Sequence, residues 1–455
     1  MPTIALSMIV KNASGTIRPC LESVEGAVDQ IVIADTGCTD NTCEIAREFG
    51  ATIISVPWEN HFANARNAAL KAVTSDWVLV LDADEELDEA ARKRIPTLLN
   101  ASDVGGYVTP IRNYVPNKFT RAWDRVAVPN DSHHPRAKDA PAFVVHENCR
   151  FFRHHPQIQF MGRVHEAVEQ SIKTLGLKLP NAPFFIHHFG QLSNQQTKDD
   201  KAIFYRDLLR LKAEEQPNDA LAWIQLGLQE YECLGHPEEA LRCLERALIL
   251  QPQASDAWIF KGMVLLSLGH PQHALAALAR ARKDSNGAAL REQLRGDAFH
   301  FLEQLQEARV AYREALKKRP HDPIIESKLG FVEVKLGQGN AGIGKLERAA
   351  EAAPALLEVH DRLVKAYILT NNLNQAAEAA EKFLSVVAHP KLFMRAASIR
   401  AQLEQWGRAA QTLAAGLEMF PDSPDLQLAA KEVAAKYCTG NSSETAQAAA
   451  AGTIA

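Results

Sequence analysis

The chain has no uninterrupted apolar run of about 18 residues, the length that a membrane-spanning helix requires, so no span is expected. Its start, MPTIALSMIVKNASG, does not join a basic segment to a signal-like apolar stretch and reads instead as a first strand. An excess of one charge is also missing. The 50 lysines and arginines against 55 acidic residues leave a formal charge of −5, which gives no bulk attraction to nucleic acid. The seven cysteines are scattered and odd in number, which suits free thiols in a reducing cytoplasm better than a disulfide framework. No GxGxxG follows the first strand, so a dinucleotide-binding domain is not indicated. Zinc-protease HExxH spacing is absent as well, because His165-Glu166 is followed by Ala167, Val168 and Glu169. What remains is an ordinary globular composition, 46% apolar and 23% charged, over 455 residues, long enough for two or three domains.

Up to about residue 200, short apolar runs alternate with helical patterns. IALSMIV (4–10), QIVIAD (30–35), ATIISV (51–56) and WVLVLD (77–82) read as strands: short, β-branched, and ended by polar residues, Gly or Pro. Stretches 16–28, 41–50 and 62–73 between them have helical spacing. This alternation predicts βαβ crossovers and a mostly parallel, Rossmann-like sheet covered on both faces. Such sheets bind ligands beyond the carboxyl ends of their strands. Lys11 and Asn12, Asp35, and Asp82 with Asp84 stand at those ends and are expected to face one crevice. Residues 105–142 lack clear periodicity and read as a long loop on the acceptor side.

Beyond 200 the chain becomes Ala/Leu-rich, helical and repetitive. Gly262, Gly296 and Gly330 are spaced by 34, as are Ala281, Ala315 and Ala349. A helix-turn-helix period of 34 residues with W…LG…Y…A…P positions resembles the tetratricopeptide repeat. Six units are expected, 218–253, 254–287, 288–321, 322–355, 356–388 and 389–421, followed by a capping helix at 422–437 and a disordered tail at 438–455. The expected organisation is thus an α/β domain at 1–200, a helical connector at 201–217 and an all-α repeat solenoid at 218–437.

The stretch WVLVLDADEEL (77–87) drives an apolar strand into a run of acids. Asp82 or Asp84 read as a simple helix cap fits poorly, because Asp82 ends a strand that looks fully buried, where unpaired carboxylates are costly. Two carboxylates on one short turn are good ligands for Mg²⁺ or Mn²⁺, which completes its shell with substrate phosphates and water. On this reading Asp82 and Asp84 are metal ligands, and the metal neutralises a departing diphosphate.

VIADTGCTDNT (32–42), WENHFANARN (58–67) and WVLVLDADEEL together resemble the family 2 glycosyltransferases of GT-A fold, in particular the subgroup that includes the SunS-type peptide S-glycosyltransferases. The resemblance covers residues 4–210 and departs from the family pattern at Cys38 and Ala69. It implies that Asp35 reads the nucleobase, that Arg66 lies near the nucleotide, and that Asp82 faces the ribose while Asp84 faces the metal and diphosphate. It maps a GR(I/V)HE segment onto Gly162–Glu166, which makes Glu166 the candidate general base, with His165 second. It maps an H-(Y/F)-G setting onto His188, the candidate metal ligand. Lys11, Arg163 and Arg150 are candidate contacts to donor or acceptor.

The function expected from these features is inverting, metal-dependent transfer of a sugar from a nucleotide sugar, UDP-linked by expectation, to a polypeptide recruited by the repeats. One alternative is a repeat scaffold with a vestigial transferase domain. Another is nucleotidyl transfer. Dimerisation is the alternative use of the repeats. The expected location is the cytoplasm.

Overall fold

A computed structural model describes residues 2–116, 121–122, 125–192, 195–283 and 287–436; the expected tail at 438–455 lies outside them. The chain divides into two compact units, Met1–Phe260 and Lys261–Ala455.

The first unit is built on a nine-stranded sheet. β1 (Ile4–Val10), α1 (Ile17–Val24), β2 (Gln30–Asp35), α2 (Thr42–Glu48), β3 (Thr52–Ser55), α3 (Phe62–Lys71) and β4 (Trp77–Val80) follow the predicted alternation. β5 (Glu85–Leu87) and a one-turn helix α4 (Ala91–Arg94) come next, then β6 (Gly106–Val115). β7 (Arg121–Ala122) and β8 (Arg125–Val126) make a separate ribbon, and β9 (Val128–Pro129), β10 (Ala142–Arg153), α5 (Glu169–Thr174) and β11 (Ile186–His188) complete the domain. The strand order is β3-β2-β1-β4-β10-β6-β11-β5, with β9 on β10. The first four strands are parallel, as expected. β10 runs antiparallel to β4 and β6, and β5 antiparallel to β11, so the whole sheet is mixed.

Side chains alternate across β1 because a strand has period two. Leu6 and Met8 pack with Ile17, Leu21 and Val24 of α1, while Ala5 packs with Ala63, Ala69 and Leu70 of α3. The order 3-2-1-4 reverses direction between β1 and β4, so a crevice opens beyond their carboxyl ends. The loop expected at 105–142 instead opens with a ten-residue strand, β6, and carries the short strands β7, β8 and β9. In β6 the odd residues Tyr107, Thr109, Ile111 and Asn113 are buried in alternation with half-buried Val108, Pro110 and Arg112. Pro110 masks that pattern. It is tolerated because β11 pairs with β6 only over Ile111–Asn113, so its missing N–H leaves no bond unmade on that side.

α6 (Gln195–Glu215), α7 (Ala220–Leu228), a π-helical turn at Gln229–Cys233 and α8 (Pro237–Leu250) end the first unit's complete elements. α9 (Ser255–Ser267) spans the boundary between units, and the second continues with α10 (Pro271–Arg280), α11 (Ala288–Phe301), α12 (Leu305–Lys318), α13 (Pro323–Lys335), α14 (Gly339–Ala352), α15 (Leu357–Leu369), α16 (Leu373–Leu384), α17 (Pro390–Gln402) and α18 (Trp406–Met419). A left-handed residue closes the first helix of each pair, at Gly235, Gly269, Glu303, Gly337, Asn371 and Glu404. Within the second unit, Ala308, Tyr312 and Ala315 of α12 share a core with Ile325, Leu329 and Val332 of α13, so neighbouring pairs are packed together.

The 34-residue glycine period has a steric cause. A Cβ on Gly296 would lie 2.5 Å from two ring carbons of Tyr312. That ring cannot yield: it is 1% exposed, and its hydroxyl donates to Asp297 over 2.7 Å. Gly296→Ala gains roughly 1 kcal/mol of helix propensity but overpacks the core by about 1–3 kcal/mol. It should therefore lower the urea midpoint, whereas Gly344→Ala, whose added Cβ has only the tip of Arg348 nearby at 3.9 Å, should raise it. Equal shifts in the two variants would refute close packing as the reason for the period.

Candidate active site

The carboxyl ends of β1 and β4 open into a cavity of about 1250 Å³. Lys11, Arg66, Asp82, Asp84, His165, Glu166 and His188 all line it, together with Arg150. Each arrives by a traceable route. Asp82 and Asp84 follow β4 on a turn closed by Glu85 N–H donating to Asp82 O (2.9 Å) and Asp82 N–H donating to Glu85 Oε2 (2.8 Å). β5 then pairs with β11 so that Glu85 stands opposite His188. This register sets His188 Nε2 3.5 Å from Asp84 Oδ2. Glu166 sits on a loop whose ends, Met161 and Ala167, exchange backbone hydrogen bonds of 2.9 and 3.1 Å. His165 takes a left-handed φ of 53° within that loop.

Two buried arginines organise the acids. Arg66 of α3 donates through Nε to Glu166 Oε1 (2.5 Å) and through Nη2 to Asp82 Oδ1 (2.7 Å). Arg150 of β10 donates to Asp82 Oδ2 and Glu85 Oε1, both at 2.9 Å. The strand-end charge at Asp82 is thus met by protein cations, one on each of its oxygens. Burial alone would raise the Asp82 carboxyl, but Arg150 and Arg66 hold it far below the ordinary range. Three carboxylates, Asp82, Glu85 and Glu166, thus share two guanidiniums. Burial, with Asp82 adding to it against Arg150, pushes Glu85 up to about 7.

The Asp84–His188 pair is composed as a hard divalent cation would need. The Asn113 side-chain NH₂ group is spent on Ile111 O, Val144 O and His146 Nδ1. Its Oδ1 therefore meets His188 Nδ1 at 2.5 Å, so Nδ1 carries a proton. Burial works to lower the His188 pKa, but the hydrogen bond to Asp84 and the charges of Glu85, Asp84 and Asp82 raise it. Nε2 thus shares a proton with Asp84 that a bound metal would displace. Burial raises the Asp84 carboxyl, yet His188 and, less strongly, Lys201 bring it below its ordinary value. A carboxylate and an imidazole nitrogen can hold a divalent cation such as Mn²⁺ whose shell is completed by phosphate oxygens and water. Among the described residues, the group of three or more ligand side chains gathered within 4.8 Å is a different one, Asp35, Cys38 and Cys43. There burial lifts both thiols, Cys38 to about 12, away from the thiolate form that binds metal.

Two expected site residues are not brought to the cavity. Asp35 closes β2, where its Oδ1 accepts from the backbone N–H groups of Gly37 (3.0 Å) and Cys38 (2.7 Å). Arg163 is occupied by Glu215 and by the carbonyls of Asn60 and Glu59, which makes it a tie between the Glu166 loop, α6 and the chain before α3. Other residues were missed. Lys201, Ala202 and Tyr205 of α6 and Gln229, Glu232 and Cys233 of the π turn line the cavity too, beyond the expected boundary at residue 200. The spacing of Lys201 and Tyr205, one helical turn apart, was the available signal. His165 is exposed and lines the cavity; desolvation by its surroundings lowers its pKa and Lys212 lowers it further.

Comparison with known proteins agrees with this architecture. Residues 6–157 match the model of glycosyl transferase family 2, and residues 262–337 match a tetratricopeptide repeat-like domain. A TPR repeat-containing protein of Synechococcus elongatus is 29% identical over 328 residues, covering 66% of this chain and 69% of that protein. An uncharacterized glycosyltransferase of Rickettsia prowazekii is 32% identical over 24% of this chain and 37% of its own length. The SPbeta prophage-derived glycosyltransferase SunS of Bacillus subtilis is 23% identical over 54% of this chain and 53% of its own. The chain thus spans about a third to a half of the two glycosyltransferase relatives. No helix among the described residues is long and apolar enough to cross a membrane. Residues 6–157 form a family 2 glycosyltransferase domain, the transferase part of a chain that also carries a tetratricopeptide repeat-like domain.

Proposed function

We propose that this chain is an inverting, metal-dependent glycosyltransferase that moves a sugar from a nucleotide sugar, UDP-linked by preference, to a polypeptide held by its repeats. The observation that carries this reading is the convergence of Lys11, Arg66, Asp82, Asp84, Glu166 and His188 on one cavity at the carboxyl ends of β1 and β4. Asp84 and His188 Nε2 would hold the divalent cation, which when bound would neutralise charge on the departing diphosphate. Asp82, held by Arg66 and Arg150, would accept hydrogen bonds from the donor's ribose hydroxyls. Glu166 has Oε1 held by Arg66, so Oε2 would take the acceptor's proton as the acceptor attacks the anomeric carbon. The bond from that carbon to the diphosphate oxygen breaks, and its electron pair leaves with the nucleotide. His165, neutral because of its lowered pKa, is the second candidate for the proton. Asp35 is proposed to read the base from the end of β2.

The polypeptide acceptor is inferred from the repeats, since such arrays bind extended segments through their stacked helices. Nucleotide released from a panel of nucleotide sugars with Mn²⁺, measured with and without chelator, tests the proposal. One donor should be consumed, and chelator should stop it. No release from any donor, with polypeptide binding intact, would leave the repeat scaffold as the better account.

A further inference from the structure

α6 lies outside the matched transferase domain, yet it forms part of the cavity wall. Lys201 and Tyr205, four residues apart, fall on the same face of this helix, and both line the cavity. Neither the Lys201 ammonium nor the Tyr205 hydroxyl has a hydrogen-bond partner among the described residues. Their surroundings nonetheless fix them to the reacting end. The Tyr205 ring stacks on Phe62 (6.1 Å, 12°) and on His165 (6.3 Å, 13°), beside Glu166. Lys201 is near enough to act electrostatically on Asp84, the proposed metal ligand. Burial, followed by the charges of Asp82, Glu166 and Asp84, pushes the Tyr205 hydroxyl up to about 12, so it remains a hydrogen-bond donor at neutral pH. The exposed Lys201 ammonium and the Tyr205 hydroxyl thus have donors to give to a cavity ligand and no acceptor among the described residues to receive them.

We infer that Lys201 and Tyr205 bind the diphosphate of the donor from the α6 wall, as the anion's protein ligands alongside the metal held by Asp84 and His188. This inference rests on the nucleotide-sugar reading and deepens it, naming a residue pair beyond the family domain. Lysine suits the task as a mobile point charge with three donors on a flexible stem, and charge-assisted bonds to phosphate are the stronger kind. The pair would act on the leaving group, because the negative charge on the diphosphate grows as the bond to the sugar breaks.

The test is binding of UDP and GDP, each against its monophosphate, by calorimetry with saturating Mn²⁺. The wild type should bind one diphosphate more tightly than its monophosphate. Lys201→Met should reduce that preference about tenfold or more by weakening the diphosphate alone. Lys201→Arg should restore most of it. Tyr205→Phe, which keeps the ring stack, should reduce it about two- to tenfold. An unchanged preference in Lys201→Met, or an equal loss for both nucleotides, would overturn the inference and leave the transferase reading standing. A wild type that binds none of the four nucleotides would overturn both.

Discussion

Asp84→Asn is expected to cut turnover by about two to three orders of magnitude, the usual cost of losing one preorganised electrostatic contact to the reacting charge. The substitution keeps the shape and one oxygen but removes the negative charge that pairs with a cation. The fold should survive, because the local structure depends on backbone bonds: Glu85 N–H to Asp82 O and Phe189 N–H to Asp84 O. Chelator should reproduce the loss in the wild type and add little to the variant. Steady-state kinetics of both, with and without added Mn²⁺, read this directly. Near-normal turnover in the variant, or full wild-type activity in chelator, would remove Asp84 from the metal site.

Glu166→Gln should lower kcat by about two to four orders of magnitude, the range contributed by a positioned proton acceptor, while donor affinity holds. Stability is not the issue in this variant. Breaking a buried ion pair by truncation costs about 3–5 kcal/mol, but the Gln amide oxygen can still accept from Arg66 Nε, and Arg66 keeps Asp82. Calorimetry with the donor separates the outcomes. A Glu166→Gln protein that melts normally but no longer binds donor would put Glu166 on the donor side of the site. Retained transfer in Glu166→Gln with loss in His165→Gln would exchange the two roles.

The sequence revealed what depends on local periodicity. The parallel core from β1 to β4 was legible because each strand is a short apolar run closed by a polar residue, and its crevice follows from the strand order. The helix pairs were legible because a glycine had to recur where a large side chain such as Tyr312 packs. The antiparallel half was not. Pro110 breaks the alternation of β6, and β10 mixes exposed His146 and Glu147 into an otherwise buried strand. Pairings made at long range were equally hidden. Arg150 and Asp82 are 68 residues apart, so nothing local announced that this arginine would meet that carboxylate. Arg163, adjacent to the motif in sequence, looked like a ligand contact but is held by Glu215, 52 residues downstream.

The π turn at Gln229–Cys233 has a consequence for how such chains can be recombined. Gln229 donates to the Ala202 carbonyl over 2.8 Å, and Glu230 is ion-paired to Arg210 and His236, so the turn is fastened to α6 on one side and to the start of α8 on the other. With Lys201 and Tyr205 on α6, the transferase module inherited as a piece must run through α8, which ends at Leu250, about sixty residues past the point where its sheet ends at His188. A graft of this transferase onto a foreign repeat array keeps its active-site wall only if the seam falls after Leu250. If the repeats choose the acceptor as proposed, arrays exchanged beyond that seam should leave the cavity wall intact, so that acceptor choice and catalysis could diverge independently.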